Sequence, residues 1–201
     1  MRNASATSLR RAPLRRQLLQ RATHVLHEEL HNAPALKAVL EGTPARDGYE
    51  AVLRTFHLFL AGGLDIERAA GRALREGGTE RRALARIAAL EADLEALGVE
   101  APRAAPAPAS PLAAWNVGYC YVMRGSALGG RVLHRALDAA PDWAREARRF
   151  FGGTGENAAH WRAFCDALES SNVLKGREGR LAAGADAAFQ DFRRLLRGCC
   201  S

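Results

Sequence analysis

Apolar residues along this chain recur three and four positions apart, not two, from Leu14 almost to its end. The pattern predicts a succession of helices. Pro13 suits the first position of a helix running to about Asn32. Leu14, Leu18, Ala22 and Val25 form its main apolar stripe. Leu19, Leu26 and Leu30 form a second, about 100° around. His27 points about 180° from the main stripe and shares its face with Arg16, Gln20, Thr23 and His31. Pro34 opens a short helix to Leu40. A long helix is predicted over 45–76, with Tyr49, Val52, Leu53, Phe56, Phe59 and Leu60 inward and a kink at Gly62-Gly63. Thr79 is placed to cap the next helix, whose stripe is Leu84, Ile87, Leu90, Leu94 and Leu97. A proline- and alanine-rich connection fills 98–111. Ser110 and Pro111 then read as the cap and first residue of a helix over 112–139. Further helices are expected over 141–151, 155–171 and 180–197. Residues 1–12, small, polar and basic, read as a disordered segment, and 13–201 as one helical domain.

The helix over 112–139 breaks a rule. It carries Gly118, Gly125, Gly129 and Gly130, and each glycine inside a helix costs about 1 kcal/mol relative to alanine. Gly118 and Gly129 fall within about 40° of Gly125, with Tyr121 and Val122 flanking them. That face is a shallow groove with bare backbone. Two readings stand: a neighbouring helix packs there, or a flat ligand does.

Composition agrees with an all-α chain. Of the 201 residues 48% are hydrophobic and only 6% aromatic, and the Val/Ile/Thr alternation of strands is missing. The net charge of +7, nearly all arginine, suits an anionic partner. No basic run interleaved with aromatics and no zinc-finger or recognition-helix spacing is present, so nucleic acid is not the expected partner. No apolar run is long enough to span a membrane, and no signal peptide is evident, so a cytoplasmic location is expected. Cys120, Cys165, Cys199 and Cys200 form no CxxC pair; the first two read as small buried thiols in a reducing compartment.

Hydrolytic chemistry has no nucleophile elbow to start from. A helical di-iron site needs paired Glu-x-x-His motifs, and Glu28 to His31 stands alone. His24, His27 and His31 share one helix at spacings that permit joint metal binding. A single neutral histidine also suffices as an axial ligand of haem iron. The glycine groove would then be the second wall of a haem slot.

Three stretches resemble the haem oxygenase family, in particular bacterial members paired with bacteriophytochromes. Leu19 to His27, with Ala22-Thr23 five and four residues ahead of the histidine, is similar to the proximal helix. Tyr121 to Gly130, with Gly125-Ser126-Ala127-Leu128-Gly129-Gly130, is similar to the distal helix. Trp161-Arg162-Ala163-Phe164 followed by Leu168-Glu169 resembles a later segment that meets a propionate. The resemblance spans roughly 14–197. It implies a single-domain, all-α haem oxygenase fold and an oxygen- and electron-dependent opening of haem to biliverdin, carbon monoxide and ferrous iron. Haem is then substrate and cofactor together, O2 the oxidant, and a reductase or ferredoxin the electron donor. A biliverdin-accepting bacteriophytochrome is an implied partner. His27 is the implied iron ligand. Gly125 and Gly129 admit the macrocycle and Ser126 supports a distal water. Arg16, Gln20 and Arg162 lie toward the propionates, and Tyr121, Val122 and Phe189 complete the haem contacts. The chain departs from the family at Ser126, where some relatives carry aspartate, at Gln20, often lysine, and at His31, often glutamate. These departures motivate the alternative of a non-catalytic haem carrier on the same fold. A helical interaction module without haem is the remaining reading.

Overall fold

A computed structural model describes residues 14–153 and 157–200; the segments expected to be disordered (1–12) and to open the first helix (Pro13) lie outside them. Among the described residues there are helices and no strand. They are α1 (Arg15–His31), α2 (Pro34–Leu40), α3 (Arg46–Gly62), α4 (Leu64–Leu74), α5 (Thr79–Ala96), α6 (Ala113–Ala136), α7 (Asp142–Glu146), α8 (Arg149–Gly152), α9 (Asn157–Ser170) and α10 (Glu178–Cys199). Short 3-10 turns occupy Leu137–Ala139 and Asn172–Leu174.

The core forms where α3, α6 and α10 meet. All six inward residues expected on α3 are buried. Phe56 packs on Phe192 of α10 with ring centroids 4.8 Å apart and on Phe150 of α8 at 5.1 Å. Tyr49 is fully buried and donates its hydroxyl to the Ala147 carbonyl at 2.5 Å. Backbone meets backbone where α6 crosses α10. A Cβ on Gly118 would sit 1.9 Å from the Leu181 carbonyl oxygen, and one on Gly184 would sit 1.9 Å from that of Trp115. Only glycine permits this approach. Behind α6, the Arg124 Nη1 meets Glu76 Oε2 at 2.6 Å and its Nε meets Glu67 Oε1 at 3.0 Å, which ties α6 to α4.

Several boundaries differ from the sequence reading for local reasons. The helix expected over 45–76 is two helices broken at Gly63. A Cβ on Gly62 would lie 2.9 Å from the Ala105 carbonyl of the long connection, and one on Gly63 would lie 2.6 Å from the Met123 methyl. Thr79 is the first helical residue of α5 rather than its cap. Gly78 holds the cap position in the left-handed region, and Thr79 packs against Gly71. Leu84 is exposed, since Ala83 and not Leu84 continues the stripe of Ile87, Leu90 and Leu94. Ser110 and Pro111 precede the helix: Leu112 occupies the cap of α6, while the Asn116 amide bridges the Ser110 backbone. The helix over 141–151 is interrupted at Ala147. There both oxygens of buried Asp93 receive the Arg149 and Phe150 N–H groups, each at 2.9 Å.

The main correction concerns α1. The expected main stripe faces outward: Leu14 is 45% and Val25 67% exposed. Leu19 and Thr23 are the buried pair, so the second stripe is the inner one. The direction of α1 is set at its start. Glu169 of α9 accepts the Arg15 and Arg16 N–H groups at 2.9 Å each, doing the work of the N-cap that Leu14 cannot do. In return the Arg15 Nη1 donates to the Leu168, Glu169 and Ser171 carbonyls at the end of α9.

Candidate functional site

With α1 turned this way, its polar face looks onto a cavity of about 720 Å³. α6 forms the opposite side, and Phe189 and Phe192 of α10 and Phe56 and Phe59 of α3 line it between them. This size lies within the range of small-molecule and cofactor sites.

The four glycines of α6 divide by role. Gly118 serves the crossing with α10, and Gly130 lies against the Phe151 backbone, where a Cβ would sit 3.3 Å from its carbonyl oxygen. Gly118 therefore leaves the common face assigned to it in the sequence. Gly125 and Gly129 line the cavity. A Cβ on Gly125 would make ordinary contact with the Trp161 ring at 3.4 Å, and one on Gly129 would meet nothing within 4 Å. Among the described residues no packing accounts for Gly129. Gly118 and Gly130 follow the packing reading, while Gly125 and Gly129 open onto the cavity.

From α1 come Arg16, Gln20, Thr23, His24, His27 and His31. The His27 ring stands 4.3 Å from that of His31 and edge-on to Phe189 at 6.1 Å. Partial burial, and next the neighbouring His31, push the His27 pKa down, against the pull of Glu28. The neutral ring, with a nitrogen lone pair free to bind a metal, is therefore favoured. The three α1 histidines do not form a chelating set, and among the described residues no cluster of three or more His, Cys, Asp or Glu is arranged for a metal. A helix bearing His24, His27 and His31 that faces bare helix backbone across an apolar slot fits haem, and Arg16 supplies a cation at one end.

That end is tightly furnished. Tyr121 packs on Trp161 with centroids 5.2 Å apart. Burial pushes the Tyr121 phenol up to about 12, against the opposing charge of Arg16, so it stays protonated. Val122, Ser126 and Phe189 also line the cavity, as expected. Arg162 does not: its side chain is exposed and lies outside the lining. Trp161, its neighbour, takes the position instead.

One group went unnoticed in the sequence. Arg86 of α5 donates from Nη1 to the Met123 carbonyl and from Nη2 to Ser126 Oγ, both at 2.8 Å. Its guanidinium carbon lies 5.2 Å from the centre of the Phe150 ring. Burial pushes its pKa down to about 10, with Glu67 opposing, so it remains a cation at neutral pH. Its signal was a charge three residues after Ala83 and four before Leu90, on the shoulder of the apolar stripe. A second recess, about 770 Å³, lies between the starts of α6 and α10 and has no histidine in its lining.

These features define a helical protein with an apolar slot between a histidine-bearing helix and a glycine-opened one. The family model described as Heme oxygenase matches residues 15–198. The chain is 35% identical over 162 residues to a heme oxygenase of Xanthomonas campestris pv. campestris (strain 8004), covering 80% of this chain and 96% of that one. Its fold is similar to that of the heme oxygenase of Neisseria meningitidis, a structure with NO and CO bound: TM-score 0.69, 23% identity, 94% of this chain and 93% of that one. The chain belongs to the haem oxygenase family, whose members are oxidoreductases that bind and degrade haem. Among the described residues no helix is long and apolar enough to cross a membrane.

Proposed function

We propose that the slot between α1 and α6 holds haem with His27 on the iron, for oxygen-dependent opening to biliverdin, carbon monoxide and ferrous iron. The carrying observation is that His27, Gly125 and Gly129 line one cavity, with none of the described residues filling the space above Gly129. Bound haem supplies both the redox chemistry and the bond to be broken. The chain's part is placement. His27, whose pKa is pushed down by partial burial and by His31, would hold the iron on one side. Gly125 and Gly129 let the macrocycle lie against backbone on the other, which excludes bulk water from that face. Arg16 pairs with a propionate, with Gln20 beside it, and so fixes which edge of the ring meets the distal side. Ser126 orders a water there. Electrons come from an external reductase or ferredoxin, and the net charge of +7 favours an acidic donor. A biliverdin-accepting bacteriophytochrome is the proposed recipient of product, and the cytoplasm the proposed location.

Titration with haem, followed by reductant in air, tests this. The parent is expected to form a 1:1 complex whose Soret band decays into a biliverdin band. His27→Ala is expected to lose the axial ligand, with a displaced Soret band and weaker binding. Unchanged spectrum and affinity in that variant would remove His27 from the iron. A parent complex that never converts would make the chain a carrier.

A further inference from the structure

The start of α1 lies in a joint made by three helices. Glu169, near the end of α9, accepts the Arg15 N–H at Oε2 and the Arg16 N–H at Oε1, each at 2.9 Å. A carboxylate engaged by both oxygens fixes how far the capped helix slides along its axis and how it is turned about it. The joint is closed from the other side by Arg15. Its Nη1 donates to the Leu168, Glu169 and Ser171 carbonyls, and its Nε lies 3.7 Å from Glu178 Oε1 at the start of α10.

Arg15 is thus taken up by the frame, whereas Arg16 faces the slot. Among the described residues Arg16 is the one arginine or lysine in the lining. The iron-side histidine, His27, comes eleven residues later, about 16 Å along the helix. Other contacts hold it there: the rings of His31 and Phe189, and the Glu29–Arg193 pair at 2.9 Å beyond it. Glu169 therefore governs the place of the cation and leaves the histidine to its own neighbours. Apart from its two propionates the haem macrocycle is nearly symmetric, so the place of one cation is enough to choose among its rotations in the slot. Glu169 itself lies outside the lining.

We propose that Glu169 is a positioning residue that sets, through the backbone of Arg16, the in-plane seating of haem and with it the meso carbon that is opened. This rests on the haem placement proposed above.

Proton NMR of the ferric, cyanide-bound haem complex counts the seatings, since each gives its own set of haem-methyl resonances. Chromatography of the biliverdin isomers reads the same choice in the product. Arg16→Gln sets the scale, since one charge-assisted hydrogen bond is worth roughly tenfold in the ratio of seatings. Glu169→Gln keeps the size of the side chain but offers one acceptor where two are used. It is expected to move the ratio several-fold in the direction of Arg16→Gln, with the Soret band unmoved because His27 keeps its place. In the Arg16→Gln background it is expected to add nothing, whereas independent effects would multiply. Glu29→Gln, which loosens α1 at its other tether, is expected to lower the melting temperature and leave the ratio as it was. A Glu169→Gln protein that melts lower with its ratio unchanged makes the cap merely structural and overturns the proposal. So does a ratio that Glu29→Gln moves as far, an Arg16→Gln ratio equal to the parent's, or a Glu169→Gln effect that persists in full without Arg16. If Glu169→Gln does not fold, Glu169→Asp, which keeps the charge and draws the start of α1 inward by one methylene, carries the same expectations. A parent that forms no haem complex overturns the haem placement and this inference together; a normal complex whose seating ignores Glu169 overturns this inference alone.

Discussion

Gly129 and Gly118 lie eleven residues apart on α6, and alanine should act on them in opposite ways. Both substitutions remove an interior helical glycine, a gain of about 0.5–1 kcal/mol. At Gly129 nothing opposes the gain, since the new methyl meets no atom within 4 Å. For a chain of this size 1 kcal/mol is about 2–4 °C, so the haem-free Gly129→Ala protein should melt about 1–4 °C higher than the parent. At Gly118 the methyl would lie 1.9 Å from the Leu181 carbonyl oxygen and 2.8 Å from its carbon. α6 and α10 must then part, and overpacking of this kind costs about 1–3 kcal/mol or more, which outweighs the helical gain. Haem reverses the ranking for Gly129→Ala. A ligand at about 100 times its Kd stabilises by about 2.7 kcal/mol; a tenfold loss of affinity at the same concentration leaves about 1.4 kcal/mol. Thermal melts with and without a fixed haem concentration measure all of this. A Gly129→Ala protein that melts lower than the parent without haem, or that gains as much from haem as the parent does, would refute the assignment of Gly129 to the ligand.

Two arginines separate in the same way by haem titration. Arg16→Gln should weaken haem binding by roughly tenfold, the scale of one charge-assisted hydrogen bond, whereas Arg162→Gln should leave the Kd unchanged because Arg162 is exposed outside the slot; equal losses would restore Arg162 to the site. Arg148 at 2.6 Å holds the Asp138 carboxyl below its usual range. A lowered folded pKa stabilises above the unfolded value and is lost as the pH falls through the folded one. Asp138→Asn should therefore melt below the parent at neutral pH, with the gap closing on acidification; a gap constant across pH would show that the ion pair is not its source.

The all-helical class, a bend at Gly62-Gly63 and the aromatic core on α3 are legible in the sequence because they follow from spacing and from glycine's backbone freedom. α1 was turned the wrong way for a physical reason. Periodicity locates the face that meets protein, and α1 meets little of it. Its inner face carries Thr23, His24, His27 and His31 beside a cavity, while Leu14 and Val25 lie outside. That face borders a cavity instead of a protein surface, which leaves no stripe in the sequence. The family resemblance singled out His27, which lines the cavity, where periodicity could not. Arg86 escaped both, since its task depends on a carbonyl and a hydroxyl 37 and 40 residues further along, joined only by tertiary packing.

The two walls of the slot are unequally anchored. α6 contributes ten buried residues and is keyed into α10 by the reciprocal glycines Gly118 and Gly184. α1 contributes two, and is secured at its first turn by Glu169 and further along by the Glu29–Arg193 pair at 2.9 Å. Elements with few buried contacts open at low free energy. Traffic through the slot therefore falls to α1, swinging about its tethered start while the distal wall stays still. Amide exchange should be faster along α1 than along α6, and haem should slow it there first. An enzyme that must expel a product of different shape from its substrate is served by a slot whose glycine-opened wall stays still while the wall that carries His27 gives way.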